Sequence, residues 1–232
     1  MKDKQTMREF FGRIIQEKTT DQLENMMVEA TKLMSYYRCA ILEVETKFRV
    51  LNEQFSILHE RNPIESIKTR LKSFESIREK LQRNDLPFSL DLIEEKINDI
   101  AGVRVICAFI DDIYVLADCI AGQDDITILK VKDYIKNPKA NGYRSLHLIL
   151  EIPIFLSEEK RKMKVEVQLR TIAMESWANL EHRMRYKKNL SEGKLARTAD
   201  MLAQCADLSS QLDLKMQAVR DIVESKEDGH QT

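Results

Sequence analysis

One stretch of the chain concentrates polar functional groups on a single face. The stretch is Met163-Lys-Val-Glu-Val-Gln-Leu-Arg170, in which valine or leucine occupies every second position. A β-strand points successive side chains to opposite faces, so Lys164, Glu166, Gln168 and Arg170 would lie together on one face. A carboxylate, an amide and two cations on one strand face predict a polar site built on a rigid sheet.

A second acidic residue stands close to another predicted strand. Asp99 precedes the strand that carries Arg104, and Glu166 lies in the middle of the alternating stretch. Two carboxylates from adjacent strands can hold Mg²⁺, which binds substrate phosphates and keeps several waters. Such a metal suits phosphoryl transfer.

Cationic residues are dense around these two acids, and they suit a polyphosphate. Tyr143 could stack on a nucleotide base. The chain has no Walker P-loop and no GxGxxG motif, so side chains would hold the phosphates. The cationic residues are Arg70, Lys72, Arg78, Lys80, Arg104, Lys132, Lys139 and Arg144.

Each of these features also has a structural interpretation. Asp99 and Arg104 could form an ion pair that only stabilises the fold, since such pairs resemble sites. A buried, hydrogen-bonded role for His147 is favoured over a catalytic one. Trp177 is most simply a helix–sheet packing residue, and Glu181-His182 could be ordinary surface charge.

Composition indicates a globular protein without a strong charge bias. The 232 residues are 43% hydrophobic and 32% charged, with a formal net charge of −1, so nothing global points to nucleic acid. No apolar run approaches the roughly 20 residues of a membrane helix, and the N-terminus lacks a signal-peptide core. The four cysteines form no CxxC pair, which indicates buried reduced thiols. We expect a cytoplasmic protein with no membrane or DNA partner.

Two long helices are predicted at the ends of the chain. The first runs from a capping box at Thr19 and Gln22 to Asn62-Pro63, about 40 residues or about 60 Å. Its apolar residues recur in alternating steps of 3 and 4, which is a heptad seam. A weaker seam in the C-terminal stretch comprises Leu195, Leu202, Met216 and Val223 with Cys205, Leu212 and Val219. Packing within the chain and an oligomer interface both explain these seams. The N-terminal seam comprises Met27, Ala30, Met34, Tyr37, Ile41, Val44, Phe48, Leu51, Phe55 and Leu58.

The middle of the chain alternates between predicted strands and helices. Ile64–Lys72 fits either, but a helix would place Arg70 in its apolar stripe, so we predict a strand followed by a helix capped at Ser73. The remaining predicted elements are a helix over 92–97, a strand over 101–110, a helix over 111–121, a strand over 126–131, a loop over 137–142, a strand over 143–152 and a helix over 171–187. This order predicts an α/β domain, with a mixed β-sheet of about five strands flanked by helices from both termini.

Three motifs in the predicted order resemble the synthetase domain of the RelA/SpoT family. They are Asn98-Asp-Ile-Ala-Gly-Val-Arg104, Asn137-Pro-Lys-Ala-Asn-Gly-Tyr-Arg-Ser-Leu-His147 and Val165-Glu-Val-Gln-Leu-Arg-Thr171, the last followed by Trp177-Ala-Asn-Leu-Glu-His182. The resemblance covers about residues 64–188. The chain has no His-Asp dipeptide of the family's hydrolase domain. It therefore resembles the single-domain small alarmone synthetases, the RelP type more than the RelQ type.

The resemblance implies a fold, an activity and an assembly. The fold would be the nucleotidyltransferase-like synthetase fold, with a synthetase domain over 63–188 between helical regions over 1–62 and 189–232. The activity would be that of a GTP pyrophosphokinase in the stringent response, which moves the β,γ-pyrophosphate of ATP to the 3′-hydroxyl of GDP or GTP and yields AMP and (p)ppGpp. The assembly would be a homotetramer.

The resemblance also implies residue roles. Asp99 and Glu166 would bind Mg²⁺, and Glu166 would take the proton of the 3′-hydroxyl. Arg70 and Arg104 would sandwich the adenine. The remaining ATP ligands would be Lys72, Arg78, Lys80 and Lys132, and the GDP or GTP ligands would be Tyr143, Lys139, Asn141, His147, Gln168 and Glu175. Glu175 stands where some relatives carry Asn, near the guanine edge.

Two alternatives remain open at this stage. The same fold could use an adenosine nucleotide as acceptor, because any purine can stack on Tyr143. The chain could also be a non-catalytic nucleotide-binding module that acts through its helical seams.

Overall fold

A mixed five-stranded sheet forms the centre of the computed structural model, which describes residues 20–59, 61–185 and 192–225. The strands of this part are β1 (Ile64–Leu71), β2 (Ala101–Cys107), β3 (Thr127–Asp133), β4 (Leu146–Phe155) and β5 (Lys160–Thr171). The helices of the same part are α1 (Thr20–His59), α2 (Phe74–Arg83), α3 (Leu90–Lys96), α4 (Ile110–Ala121), α5 (Ile172–Arg185) and α6 (Glu192–Glu224). The predicted α/β fold class is confirmed.

The strand order is β1-β2-β5-β4-β3, which places the alternating stretch in the middle of the sheet. β2 and β5 pair in parallel, and every other neighbouring pair is antiparallel. Met163, Val165, Val167 and Leu169 are fully or almost fully buried on one face of β5. The predicted alternation is therefore confirmed, within a strand that extends from Lys160 to Thr171.

The ambiguous segment after α1 is a strand, as predicted. β1 pairs with β2 and ends at Leu71, and Ser73 caps α2 by accepting a hydrogen bond from the backbone N–H of Ser76 at 3.3 Å. This arrangement keeps Arg70 out of the apolar layer. The strand option is preferred because its polar alternate positions face away from the core.

Several element boundaries differ from prediction. β4 begins at Leu146 rather than residue 143, because the backbone C=O of Tyr143 accepts from the N–H of Lys139 and so belongs to the preceding loop. β2 ends at Cys107 rather than residue 110, because Asp112 accepts from the N–H of Phe109 and starts α4 there. α3 runs from Leu90 to Lys96, and β3 from Thr127 to Asp133.

The N-terminal seam packs inside the chain. α1 contacts four strands and α4, and it buries six predicted seam residues beside the sheet: Ala30, Tyr37, Ile41, Val44, Phe48 and Leu51. Leu58 is the exception, since it lies 63% exposed near the end of the helix. The capping residue predicted at Thr19 lies outside the described residues.

The C-terminal seam does not pack where the heptad pattern predicts. Leu212, Met216, Val219 and Val223 are exposed on α6. The helix instead faces the domain with Ala206 and Asp213, and Thr171 donates to Asp213 at 2.7 Å. Polar contacts and a small apolar cluster around Trp177, Ala206 and Leu202, rather than the exposed apolar row, therefore fix α6 to the domain.

The cysteines are all free, as expected for reduced thiols. Burial of Cys107 raises the pKa of its thiol to about 12. The prediction of burial is wrong for Cys205, which is exposed. Within the described residues, no helix combines the length and the apolar character that crossing a bilayer demands.

Candidate active site

A row of polar side chains crosses all five strands on one face of the sheet. Cross-strand partners point to the same face. The register pairs Lys68 with Arg104, Arg104 with Gln168, Gln168 with His147, and His147 with Lys132. Four of these five residues are sequence-predicted site residues, and Lys68 was missed.

A second row lies one step along the strands. It pairs Arg70 with Gly102 and Gly102 with Glu166. Because Gly102 has no side chain, no side chain from β2 stands between Arg70 and the carboxylate of Glu166. The sheet register thus brings together predicted adenine and catalytic residues from three strands.

Asp99 lies at the end of this face between two lysines. The N–H of Lys72 donates to the C=O of Ile100 at 2.8 Å, which holds the end of β1 beside Asp99. The Nζ atoms of Lys72 and Lys80 lie 2.7 and 2.8 Å from the two carboxylate oxygens. Burial acts to raise the pKa of Asp99, but hydrogen bonds and charge from both lysines outweigh it and lower the pKa.

The suggested ion pair between Asp99 and Arg104 does not form. Arg104 donates to Glu175 at 3.2 Å, because its position in the polar row places it beside α5. The interpretation of Asp99 as the structural ion-pair partner of Arg104 is therefore wrong. Asp99 is instead surrounded by lysines predicted to bind ATP phosphates.

Glu166 is held by two neighbours from the polar row. Gln168 donates to Oε2 at 2.8 Å, and Nδ1 of His147 lies 3.4 Å from Oε1. Burial acts to raise the pKa of Glu166, while His147 and Gln168 outweigh it and hold the pKa below its ordinary value. The charge of Asp99 acts in the opposite direction, so the two carboxylates are close enough to interact.

This pair of carboxylates fits a hard divalent cation. Mg²⁺ prefers oxygen ligands and commonly takes one or two carboxylates together with substrate phosphates. Asp99 and Glu166 supply such oxygens and repel each other, which a cation would relieve. Among the residues that the structure describes, no group of three or more acidic, His or Cys side chains could form a complete protein cage. A cation here would depend on phosphate and water ligands.

Aromatic side chains gather on the other side of Glu166. The rings of Tyr134 and Tyr143 lie 6.0 Å apart, and Tyr134 lies 5.3 Å from the ring of His147. The Nζ atom of Lys139 is 4.7 Å from the centroid of each tyrosine ring. Sequence reasoning missed Tyr134. Its place directly after β3, at the start of the segment that ends with Tyr143, is the signal that could have revealed it.

His147 is both buried and part of the candidate site. It is 8% exposed, and its Nε2 lies 2.8 Å from the hydroxyl of Tyr143. The favoured interpretation as a satisfied buried histidine therefore describes its surroundings correctly. The same contacts connect it to Glu166.

Glu175 accepts from several cations rather than facing open space. Lys68, Arg104 and Asn179 contact Oε1, and Arg170 donates to Oε2 at 2.8 Å. Burial acts to raise the pKa of Glu175, but these partners lower it to about 2. Its contact with guanine stays a prediction, since its oxygens already have protein partners.

The loop before β4 is held against α5 and α6. Asn141 donates to Glu181 at 3.2 Å and accepts from the N–H of Tyr143 at 3.3 Å. Arg144 donates to the C=O of Ala206 at 3.3 Å, so this cation faces α6. Asn141 therefore supports the loop that carries Tyr143. Glu181 has this role as well, which the surface-charge interpretation did not include.

The remaining predicted residues occupy the edges of the site. Lys132 is exposed on β3, and Arg78 is half-buried on α2, 3.6 Å from Glu75. Trp177 is a packing residue, but it packs against α6 rather than against the sheet as predicted, and its Nε1 donates to the C=O of Leu202 at 2.9 Å. Lys164 donates to the C=O groups of Glu94 and Glu95, which removes it from the site.

These features define a class of protein. A mixed sheet that presents two carboxylates, lysines, arginines and a cluster of aromatic rings on one face is suited to nucleotide polyphosphates. The model of the family described as "Region found in RelA / SpoT proteins" matches residues 69–191. The chain belongs to the RelA/SpoT family.

Known relatives agree with this assignment. The chain is similar to the GTP pyrophosphokinase YwaC of Bacillus subtilis, with 42% identity over 88% of this chain and 96% of the relative. The crystal structure of small alarmone synthetase 2 from B. subtilis matches with a TM-score of 0.74 and 40% identity, over 84% of this chain and 99% of the other. Small alarmone synthetase 1 from B. subtilis bound to its product pppGpp matches with a TM-score of 0.75 and 31% identity, over 85% and 99%.

Gly142→Ala should disturb the contact between the Tyr143 loop and α6. Gly142 has a φ of +86°, and an added Cβ would overlap the Cβ of Ala206. A left-handed non-glycine residue costs roughly 1–2 kcal/mol before any clash. Denaturant titration should show lower stability, and the emission of Trp177, the only tryptophan, should change.

Gly122→Ala is the matched control, because Gly122 has a φ of −79° and its added Cβ would make only an ordinary contact. Unchanged stability and emission in Gly142→Ala would contradict the description of this loop.

Glu175→Gln should destabilise the protein by roughly 3–5 kcal/mol at pH 7, since it leaves the buried guanidinium of Arg170 without its anion. The folded pKa of about 2 lies below the ordinary value of 4.5, so the stabilisation is present above pH 4.5 and is lost as the pH falls toward 2. Urea titrations at several pH values should show that the difference in the free energy of unfolding between wild type and variant narrows over that range.

Glu45→Gln, which removes an i,i+4 ion pair with Arg49, is the control and should cost less than about 1 kcal/mol. If the loss of unfolding free energy in Glu175→Gln is the same from pH 7 to pH 3, the charge of the Glu175 carboxylate does not stabilise the fold.

Proposed function

We propose that this protein is a GTP pyrophosphokinase that transfers the β,γ-pyrophosphate of ATP to the 3′-hydroxyl of GDP or GTP, making AMP and (p)ppGpp for the stringent response. The observation that carries the proposal is the position of Glu166. It lies between the lysines around Asp99 on one side and the rings of Tyr134 and Tyr143 on the other.

The donor side supports binding of ATP. Lys72 and Lys80 carry ammonium groups next to Asp99, and Arg70 and Arg104 follow on adjacent strands. We assign adenine to the two arginines, whose planar guanidinium groups stack on rings. We assign the phosphates to Lys72, Arg78, Lys80 and Lys132. Bound phosphates would take over the lysines that neutralise Asp99 in the free protein.

The acceptor side supports binding of a purine nucleotide. Tyr143 offers a ring for stacking, and Lys139 brings a cation to that ring. His147 and Gln168 lie between this ring and Glu166. We assign the acceptor nucleotide to Tyr143, Lys139, His147 and Gln168, with Asn141 and Glu175 supporting the pocket from behind.

The chemistry follows from Glu166. Its carboxylate is ionised at neutral pH and would receive the proton of the 3′-hydroxyl. The 3′-oxygen attacks the β-phosphorus of ATP. The bond between that phosphorus and the α,β-bridging oxygen breaks, and AMP leaves with that oxygen. Positioning of the two nucleotides and neutralisation of their charge supply most of the rate.

Magnesium belongs to this proposal as the resident cation. Asp99 and Glu166 would hold it, and it would supply charge neutralisation on the transferred phosphates. Lys72 and Lys80 would then turn from Asp99 toward the phosphates. The hard oxygen donors of the two acids support Mg²⁺ over softer metals.

Purified protein with Mg²⁺, ATP and GTP should form AMP and pppGpp in equal amounts, measured by anion-exchange chromatography. Glu166→Gln should lower kcat by about 100-fold or more, the usual contribution of a general base. Calorimetric binding of GTP should stay close to wild type, because the amide keeps the size of the side chain.

Glu151→Gln is the control for this substitution, since Glu151 pairs with Lys162 at the other end of the sheet. ATP supplied alone tests the adenosine acceptor, and product formed equally well without GTP would favour that alternative. Absence of product from folded protein would favour the non-catalytic module.

We also propose that the chain assembles as a homotetramer and acts in the cytoplasm, where its nucleotides occur. The synthetase domain would span 63–188, with the helical regions 1–62 and 189–232 on either side. The exposed apolar row of α6 supports the assembly, because such a surface is typical of an interface. The row comprises Leu208, Leu212, Val219, Ile222 and Val223.

Light scattering should give about four times the 27.1 kDa of one chain. Ile222→Glu, at a side chain 73% exposed in one chain, should lower that mass because it buries a charge in the interface. Leu214→Glu, the same change at a side chain 59% exposed on another face of the same helix, should not. A wild-type mass of one chain would contradict the assembly.

A further inference from the structure

Arg170 is a buried cation of the site face to which neither the sequence motifs nor the proposed reaction assigns a role. It lies near the end of β5 and is 5% exposed. Its Nη1 donates to Glu175 at 2.8 Å, and its Nη2 donates to the hydroxyl of Tyr143 at 2.5 Å and to Oε1 of Gln168 at 2.9 Å. One guanidinium group therefore contacts three predicted site residues.

These contacts close a ring of hydrogen-bonding side chains around the acceptor side. From Arg170 one branch passes through Gln168 to Oε2 of Glu166, where Gln168 donates at 2.8 Å. The other branch passes through the Tyr143 hydroxyl to Nε2 of His147, at 2.8 Å. Nδ1 of His147 then lies 3.4 Å from Oε1 of Glu166. Both branches begin at Arg170 and end at Glu166.

Arg170 fixes two hydrogen-bond directions in this ring. A guanidinium group can only donate, so the Tyr143 oxygen and Oε1 of Gln168 both accept from it. The Tyr143 proton is then available for Nε2 of His147, which favours the tautomer that accepts it. That tautomer carries the N–H on Nδ1, toward Glu166. The amide of Gln168 likewise turns its oxygen to Arg170 and its NH₂ group to Glu166. Both oxygens of the Glu166 carboxylate thus face donors.

The guanidinium also fixes the ring of Tyr143. Its central carbon lies 5.0 Å from the centroid of that ring, and Glu175 holds the other side of the guanidinium. A lysine would keep the charge but lose the planar fork that reaches several acceptors in fixed geometry. The position therefore demands arginine rather than any cation.

We propose that Arg170 is a positioning residue for the acceptor nucleotide, acting through the Tyr143 hydroxyl and the Gln168 amide. The proposal rests on the proposed function, because it concerns the acceptor side of that same site. Arg170 orients the residues that meet the nucleotide and the base, without touching the reacting atoms itself.

The test compares Arg170→Lys with wild type in steady-state kinetics and in calorimetric binding of GTP. Loss of a charge-assisted hydrogen bond should raise the KM and the Kd for GTP about tenfold. The KM for ATP should change less than about twofold, because Arg104 keeps Glu175 as its partner. A residue that only stabilises the fold would move both KM values together.

Tyr143→Phe isolates the link, because it keeps the ring and Arg170 and removes only the hydroxyl between them. It should raise the KM for GTP as Arg170→Lys does. The effect of the double variant on the KM for GTP should be smaller than the product of the two single effects, since both variants break the bond between Arg170 and Tyr143. If Arg170→Lys does not fold, Tyr143→Phe still tests the proposal, and an unchanged KM for GTP in Tyr143→Phe contradicts it.

Arg161→Lys is the matched control on the same strand. Arg161 pairs with Glu94, so this substitution should leave both KM values unchanged. Arg170 has no positioning role if Arg170→Lys behaves like Arg161→Lys, or if the KM values for GTP and ATP rise by the same factor. A wild-type protein that makes no product overturns the proposed function instead, and the calorimetric Kd for GTP still tests Arg170.

Discussion

The in-register parallel pairing of β2 with β5 is the constraint on which the site depends. It aligns Gly102 with Glu166 and Arg104 with Gln168, and β1 and β4 extend the same rows to both sides. A shift by one residue would turn every polar side chain of β5 into the apolar layer beneath α1. The buried residues Val165, Val167 and Leu169 of β5 therefore fix the register of the strand, and through it the positions of the site residues.

A face with this many cations needs anions when no nucleotide is bound. The protein supplies them in two places. Asp99 neutralises Lys72 and Lys80 on the donor side, and Glu175 neutralises Lys68 and Arg104 beside the acceptor side. The Asp99 side chain is 25% exposed, so in the proposed reaction phosphates could replace it beside the lysines. The Glu175 side chain is only 8% exposed and joins α5 to the sheet, which suits a permanent structural role.

The sequence predicts the features that depend on local periodicity. Alternation of two identifies β5, and a polar Arg70 decides between strand and helix for β1. The motifs identify Asp99, Glu166 and Tyr143. Lys68 was missed although alternation along β1 places it on the same face as Arg70. What spacing along one strand cannot give is the partner across the sheet, so the approach of Lys68 to Arg104 and of Tyr134 to Tyr143 appears only in the folded structure.

The failure at α6 has a different physical cause. Heptad spacing identifies an apolar face but not the surface that covers it. In one chain the opposite face packs on the domain, through Ala206 against Gly142 and through the bond from Trp177 to Leu202. The same helix thus supports the loop of Tyr143 on one side and presents an apolar row on the other. In the proposed assembly, a partner that covers that row would restrain the helix, and through Gly142 it would restrain the loop that carries Tyr143. The proposed assembly and the proposed binding of the acceptor would then be coupled through α6.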